Sequence, residues 1–284
     1  MLIIAYLGPQ KTNTHLAAIR HFGKRNKFVH EPTVEDVFRL VERRQADYGI
    51  VPIENSLGGA VTHTLDRYID FKDSPVKIHG EIDQPINHHL IFRPTTRLHK
   101  IRVVYSHPQA FEQCHRWLEE TLPNVSRSET DSTAAAVQHL LHKRIGNWST
   151  LWDLKERAAI GPKELVRENK LRSIAIPNER ENRTRFLILG LDEAPRGHQH
   201  KTSILIGLKD TPGSLHDALL PFKKYQINLT KIESRPSKQK AWEYLFFIDF
   251  EGHTSDAKVQ SALEELRSST SLLHILGSYP FAHD

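Results

Sequence analysis

Eight neutral hydrogen-bonding residues, Thr12, Asn55, Ser56, Ser106, Gln109, Ser132, Thr133 and Thr184, stand on polar turns or strand ends that interrupt apolar runs. Together they offer donors and acceptors without net charge. Such a set can bind and orient an anion, which suits a solute-binding module or an enzyme whose substrate is already close to reacting. A threonine hydroxyl is a poor general acid near neutral pH, but a positioned donor to developing negative charge is effective. Other chemistries lack their residues. There is no HExxH and no pair of CxxC motifs, so metal-ligand spacing is missing. There is no GxGxxG, Walker A loop or GxSxG elbow. The 18 histidines are scattered; His198 and His200, two residues apart, are the minor alternative for a metal. Cys114 lies within a helical stretch and reads as a small buried hydrophobe rather than a nucleophile.

Residues 48–61, YGIVPIENSLGGAV, show how such groups are positioned. Ile50-Val51-Pro52-Ile53 is a β-branched apolar run. Glu54-Asn55-Ser56 turns polar, Gly58-Gly59 follow, and Val61 opens a helix. In open α/β sheets ligands bind outside the carboxyl ends of strands. The next helix N-terminus there offers unpaired N–H groups to an anion. The plain alternative is a strand-end turn with Ser56 as N-cap. The pattern recurs three times. Strand 2–6 is broken by Gly8-Pro9 and leads through Thr12 to a helix over 15–22; Thr12 is a ligand contact or only an N-cap. Strand 101–105 leads through Ser106-His107-Pro108-Gln109 to a helix passing Cys114 and Leu118. Asp131-Ser132-Thr133 begins a helix ending near Leu141. Thr33 with Asp36 resembles a capping box, and Val34, Val37, Phe38 and Val41 follow at helical spacing.

Further strands are expected at 78–82, 88–93, 158–160, 174–176 and 184–189. The stretch 146–157, with Trp148 and Trp152, looks inserted. Alternating strands and helices predict one or two mainly parallel sheets. Two lobes facing across a cleft would bring the four polar turns together.

Residues 192–201 form a polar linker, and the rhythm then changes. Strand 202–208 is followed by Pro212-Gly213 and a helix with Leu215, Leu219 and Phe222 inward. Strand 227–233, a loop over 235–240, a long alternating strand over 242–250, a second helix and strand 273–279 complete the order βαββαβ, a ferredoxin-like domain.

A length of 284 residues allows about two domains. With 38% hydrophobic and 26% charged residues the chain is expected to be globular and soluble. One cysteine precludes an intrachain disulfide. The apolar N-terminal run is too short for a signal or a membrane span, so a cytoplasmic location without membrane attachment is expected. The net charge of +5 is spread over isolated basic pairs among acids. That argues against nucleic acid and for a solvated surface.

Four motifs in order, VPIENSLGGAV at 51–61, SHPQAFEQC at 106–114, STAAA at 132–136 and NRTRFLILG at 182–190, resemble those of prephenate dehydratases. Pro212-Gly213-Ser214-Leu215 and Glu233-Ser234-Arg235-Pro236 resemble the ACT regulatory domain of that family. The resemblance implies a two-lobed, periplasmic-binding-protein-like α/β catalytic domain over 1–191 and an α+β ferredoxin-like ACT domain over 202–284. It also implies a homodimer or homotetramer. The implied reaction converts prephenate to phenylpyruvate, water and carbon dioxide without metal or cofactor. Thr184 becomes the central catalytic residue. Thr12, Asn55, Ser56, Gln109, Ser132 and Thr133 become cleft contacts, with Ser106 beside them. Arg185 either holds a substrate carboxylate or makes a salt bridge, because neighbours on a strand point to opposite faces. Phe186 is placed with the substrate contacts, although its ring suits the core better.

L-phenylalanine is the implied effector, held by Gly213, Ser214, Leu215, Asn228, Leu229, Glu233, Ser234 and Arg235 between two ACT domains. The chain departs from the family pattern at Lys11, Asn13 and His216. Lys11 stands where the family has a glycine. The alternatives are an arogenate dehydratase, a non-enzymatic anion sensor on the same scaffold and, from charge alone, a nucleic-acid binder.

Overall fold

The computed structural model describes residues 1–70, 74–141, 144–145, 148–149, 154–178, 180–197, 199–237 and 243–282. Among the described residues, three larger sheets and one two-stranded ribbon carry the chain. The first lobe is built from β1 (Ile3–Leu7), α1 (Asn13–Phe22), β2 (Lys27–Glu31), α2 (Val34–Glu42), β3 (Tyr48–Asn55), β4 (Gly59–Ala60), α3 (Thr62–Asp70) and β5 (Lys77–Pro85). The second lobe holds β6 (His89–Phe92), β7 (Val103–Ser106), α4 (Pro108–Gln113), α5 (His115–Thr121), β8 (Ser126–Glu129) and α6 (Thr133–Leu141). It continues with β9 (Arg144–Ile145), β10 (Trp148–Ser149), β11 (Arg157–Gly161), α7 (Glu164–Glu168) and β12 (Arg172–Ala175). The chain then returns to the first lobe with β13 (Arg183–Gly190), which inserts between β3 and β5 to give the order β2-β1-β3-β13-β5. The second sheet runs β12-β6-β11-β7-β8.

Both sheets are mixed rather than mainly parallel. The returning β13 is antiparallel to β3 and β5, and β6 is antiparallel to β11 and β12. β2 and β8, which no apolar run announces, are edge strands whose outer residues stay wet. The single helix expected through Cys114 breaks there into α4 and α5. Thr33 caps α2 as expected, accepting from Asp36 N at 3.1 Å. Stretch 146–157 contributes β10, which pairs with β9, and the start of β11; Trp152 lies outside the described residues.

The third sheet contains β14 (His200–Gly207), α8 (Ser214–Lys224), β15 (Leu229–Pro236), β16 (Tyr244–Glu251), α9 (Ala257–Ser269) and β17 (Leu272–Pro280). Its order, β15-β16-β14-β17, with antiparallel pairing throughout, gives the expected βαββαβ arrangement. Both faces are covered. Ile204, Ile206, Ile248 and Phe250 pack under α8 and α9. Leu205, Leu245, Phe247, Leu276 and Tyr279 join Tyr68, Ile78 and Leu187 of the first lobe in one cluster. Contact is closest where β17 crosses β5: a Cβ on Gly277 would stand 2.2 Å from the Ile78 carbonyl oxygen, so only glycine fits.

The expected linker is therefore partly strand. Lys201 is buried and reaches Glu81 at 2.9 Å and 3.0 Å, while His198 lies outside the described residues. No described helix is long and apolar enough to cross a membrane.

Candidate active site

The lobes are joined by two chain segments, 86–88 and 176–182, which hydrogen-bond to each other through Ile86 N to Asn182 O and Ile176 N to His88 O. A cleft of about 350 Å³ lies beside this hinge. The first lobe contributes the end of β3, the start of β13 and the first turn of α1. The second contributes the starts of α4 and α6. No lysine or arginine lines it among the described residues. The helix starts add partial positive charge there, and Asp131 brings a carboxylate.

Seven expected residues meet in this cleft: Thr12, Asn55, Gln109, Ser132, Thr133, Thr184 and Phe186. Thr12 also caps α1; its hydroxyl donates to Pro9 O at 3.0 Å and accepts from His15 N. Ser132 accepts from Ala135 N at 3.0 Å and begins α6 in the same way. Among the described residues the Gln109 amide and the Thr133 hydroxyl have no protein hydrogen-bond partner, so both are available to a ligand. Phe186 is 1% exposed and packs with Tyr6 and Ile50 under the cleft floor. A Cβ on Gly58 would come within 2.0 Å of Gln109 Nε2, so the glycine turn is what lets this second-lobe side chain reach over the first.

Lys11 occupies the turn with φ 69, a left-handed conformation that a glycine adopts without strain. Its amide donates to His15 Nδ1 at 2.8 Å, and its ammonium pairs with Glu168 of the second lobe.

Three expected contacts fall elsewhere. The Ser56 hydroxyl donates to Glu181 O and accepts from Arg183 N, both at 2.9 Å, and so staples β3 to the returning chain. Ser106 is fully buried and donates to Ile160 O at 3.1 Å. Arg185 projects from the opposite face of β13, because it alternates with Thr184. It meets Glu54 at 3.3 Å and Glu81 at 3.7 Å beneath the third sheet. Burial alone would lower its pKa, but Glu81, Glu54 and Asp249 together raise it, so it stays charged. Of the two readings of Arg185, the salt bridge is the one this geometry carries.

Asn55 and Thr184 are paired across β3 and β13. Asn55 Oδ1 accepts from the backbone N–H of Leu57 at 3.1 Å and of Gly58 at 2.8 Å. Backbone donors cannot reverse, so the amide orientation is fixed and Nδ2 faces the strand. Nδ2 lies 2.9 Å from Thr184 Oγ1, 2.9 Å from Asn182 Oδ1 and 3.0 Å from Arg183 O. Thr184 Oγ1 is therefore an acceptor on one side. No described protein group takes its proton, which is free for a ligand in the cleft.

His88, His107 and Gln113 also line the cleft, and Asn182 stands behind it. They were not singled out in the sequence because they come from separate segments; Gln113 and Asn182 do lie inside two of the motif strings, SHPQAFEQC and NRTRFLILG. His107 accepts from Gln109 N at 3.2 Å through Nδ1. His88 is buried, and burial pushes its pKa down despite the bond to Gln113. Cys114 is buried, its thiol pushed up to about 12 by burial, far from a thiolate. Among the described residues no cluster of three or more His, Cys, Asp or Glu is placed to hold a metal ion.

In the third sheet, Ser214 and Leu215 line a groove with Tyr244 and Phe246. Gly213, at φ 86, precedes α8. Ser234 is in register with Phe246 beside this groove. Asn228 and Leu229 sit at the other end of β15, where Asn228 donates to Glu251 at 2.9 Å. Glu233 is in register with Phe247. Arg235 is held by Asp66 of α3 at 3.1 Å and 3.2 Å, so it docks the third sheet to the first lobe instead of facing the groove.

Comparison with known proteins agrees with this geometry. The family model described as prephenate dehydratase matches residues 4–194, and the one described as ACT domain matches residues 202–268. A bifunctional chorismate mutase/prephenate dehydratase of Aquifex aeolicus is 44% identical over 98% of this chain and 74% of that protein. The crystal structure of a prephenate dehydratase from Arthrobacter aurescens, described as a complex with L-Phe, superposes with a TM-score of 0.88 at 32% identity. It covers 99% of this chain and 90% of the other. A structure described as a quorum quenching acylase, GqqA, also superposes, with a TM-score of 0.82 at 25% identity over 99% of this chain and 98% of the other. The two-lobed periplasmic-binding-protein-like fold and the ferredoxin-like third sheet are thus those of known enzymes, and the chain belongs to the prephenate dehydratase family, with an ACT domain after its catalytic lobes.

Proposed function

We propose that residues 1–191 form a catalytic unit in which Thr184 donates its hydroxyl proton to the departing hydroxyl of prephenate, and that residues 202–284 regulate it. The observation that carries this reading is the Asn55 Nδ2 contact of 2.9 Å to Thr184 Oγ1, which leaves the threonine proton for the cleft. In the reaction the bond between the ring and its carboxylate breaks, and its electron pair enters the ring. The bond from the ring to the hydroxyl breaks in the opposite sense, its electron pair leaving with the oxygen, and the ring becomes aromatic. Carbon dioxide leaves directly. The hydroxyl leaves as water after taking one proton, supplied through Thr184 from solvent. Aromatisation provides the driving force.

A cleft without fixed cations suits this chemistry, since a lysine or arginine on the ring carboxylate would stabilise the charge that must be lost. Gln109, Thr133, Ser132, Asn55 and Thr12 orient the substrate. Asp131 favours a second reading, arogenate as substrate, because its carboxylate would pair with an ammonium. Parallel assays on the two substrates separate them.

L-phenylalanine is the proposed effector at the groove of Ser214, Leu215, Tyr244 and Phe246, completed by β15 of a second copy in a homodimer or homotetramer. Exposed Leu215, Leu220, Ile232 and Tyr244 support such an assembly, as does the L-Phe complex of the Arthrobacter relative. A cytoplasmic setting fits a single buried thiol.

The test is Thr184→Ala beside Thr184→Ser. The alanine variant is expected to fold normally and lose about 10²-fold or more in kcat with a small change in KM, and serine to recover part of the loss. An alanine variant with near-wild-type kcat overturns the role of Thr184.

A further inference from the structure

Lys11, in the turn before α1, and Glu168, the last residue of α7, form an ion pair between the first lobe and the second. Neither has another ion-pair partner among the described residues. Both stand where local rules disfavour them. Lys11 holds φ 69, a left-handed conformation that strains a residue with a Cβ. Glu168 places a carboxylate at a helix C-terminus, beside carbonyl oxygens that carry partial negative charge. The turn is braced by His15. The Lys11 amide donates to His15 Nδ1 at 2.8 Å, which leaves the imidazole proton on Nε2. The His15 ring stacks on Tyr6, with centroids 4.4 Å apart, and meets Phe28 edge-on. Burial lowers the His15 pKa, Lys11 lowers it further and Glu168 raises it, so both charges act at this turn. The next two residues, Thr12 and Asn13, line the cleft.

We propose that Lys11 and Glu168 are positioning residues for the reaction: their ion pair is a latch that favours the closed arrangement of the two lobes over the substrate. This rests on the reading of the cleft as the prephenate site. The side chains are 38% and 59% exposed, and a pair so exposed adds little to folding. Opening of the lobes about the hinge is a different equilibrium. Its two states share the contacts inside each lobe and differ in those across the cleft, so a small bias changes their populations several-fold. The pairing also holds the Lys11 ammonium on Glu168 and off the ring carboxylate that must leave as carbon dioxide. The cleft thereby stays without a fixed cation, although a lysine stands one residue from Thr12.

The experiment reverses the charges singly and together and reads kcat and KM for prephenate. Lys11→Glu sets two carboxylates against each other, and Glu168→Lys two ammonium groups. Both single variants are expected to raise KM about threefold or more with kcat changed much less, because less of each protein is closed before substrate binds. The swap, Lys11→Glu together with Glu168→Lys, is expected to return KM to within about twofold of wild type. The signs separate a latch from simple attraction. Prephenate carries two carboxylates, so a lysine that merely attracted it would give a raised KM in Lys11→Glu and a lowered one in Glu168→Lys. Lys11→Gly removes the strain along with the charge. It is expected to melt no lower than wild type and still to raise KM, a combination that a role in folding alone would not give.

Small-angle scattering of the same proteins without substrate supplies a readout that needs no activity. Both charge-reversed single variants are expected to show a larger radius of gyration than wild type, and the swap to match wild type. The proposal is overturned by an unchanged KM in either of these single variants, by a lowered KM in Glu168→Lys, by a swap as impaired as the single variants, or by a Lys11→Gly that melts lower with KM unchanged. Should the wild-type chain leave prephenate unchanged, the substrate reading fails and scattering decides the latch: identical profiles for wild type and both single variants overturn it.

Discussion

Thr184 and Arg185 are adjacent, yet they face different parts of the molecule. The threonine meets Asn55 in the cleft, and the arginine meets Glu54 and Glu81 beneath the third sheet. Alternation along a strand is sufficient cause. The expectation that both touch substrate conflicted with that rule, and the rule prevails. Arg185→Met is accordingly expected to leave KM for prephenate within about threefold while lowering the melting temperature, because Glu81 then loses one of two cationic partners. Steady-state kinetics and a thermal melt check this; a tenfold rise in KM at unchanged stability would return Arg185 to the substrate. Ser56 and Ser106 were legible as polar residues at strand ends, but not as hydroxyls already committed to main-chain carbonyls. That commitment depends on the return of β13 and on β11, which are remote in sequence.

At the scale of elements, the strand, polar turn and helix units were readable because each has a β-branched run followed by a capping residue. Lys27–Glu31 and Ser126–Glu129 were not, since edge strands exposed on one side carry no continuous apolar signal. The insertion of Arg183–Gly190 into the first sheet leaves no local mark either, although it is what brings Thr184 to Asn55. The glycine turn after β3 has a role the string GG only hints at: Gly58 leaves room for Gln109 of the other lobe. Gly58→Ala should fold, because the atom it displaces is the far end of a flexible side chain. It is expected to raise KM several-fold by pushing the Gln109 amide out of the cleft, roughly the loss of one hydrogen bond. An unchanged KM would mean that Gln109 does not contact substrate.

At the scale of the whole molecule, the third sheet is bound to the first lobe by one continuous apolar cluster and by a set of charges. Lys201 and Glu81 are buried as a pair, and Lys231 reaches Glu54 at 3.0 Å. Glu54 directly precedes Asn55 on β3, so ACT contacts end one residue from the proposed catalytic pair. Burial also sets the pH response. His15, His21, His88, His89, His139 and His253 all have pKa values lowered chiefly by desolvation. Below about pH 6.5 the unfolded chain takes up protons that the folded chain refuses, so stability falls as pH drops through this range. Asp249 acts in the opposite sense: burial raises its pKa, and acidification relieves the cost of its buried charge. Six groups against one predict a melting temperature that declines from pH 7 to pH 5. His139→Phe, which keeps the stacking on Tyr105, should flatten the decline. A melting temperature that holds or rises over this range would contradict the assignment.

The central claim is that a cleft without fixed cations turns prephenate into phenylpyruvate with Thr184 as the donor to the leaving hydroxyl. The most direct measurement is to incubate the purified protein with prephenate and follow phenylpyruvate together with released carbon dioxide. Equal amounts of the two products, formed by the wild-type chain and nearly abolished in Thr184→Ala, are the expected result. Prephenate recovered unchanged in the presence of correctly folded wild-type protein would contradict it.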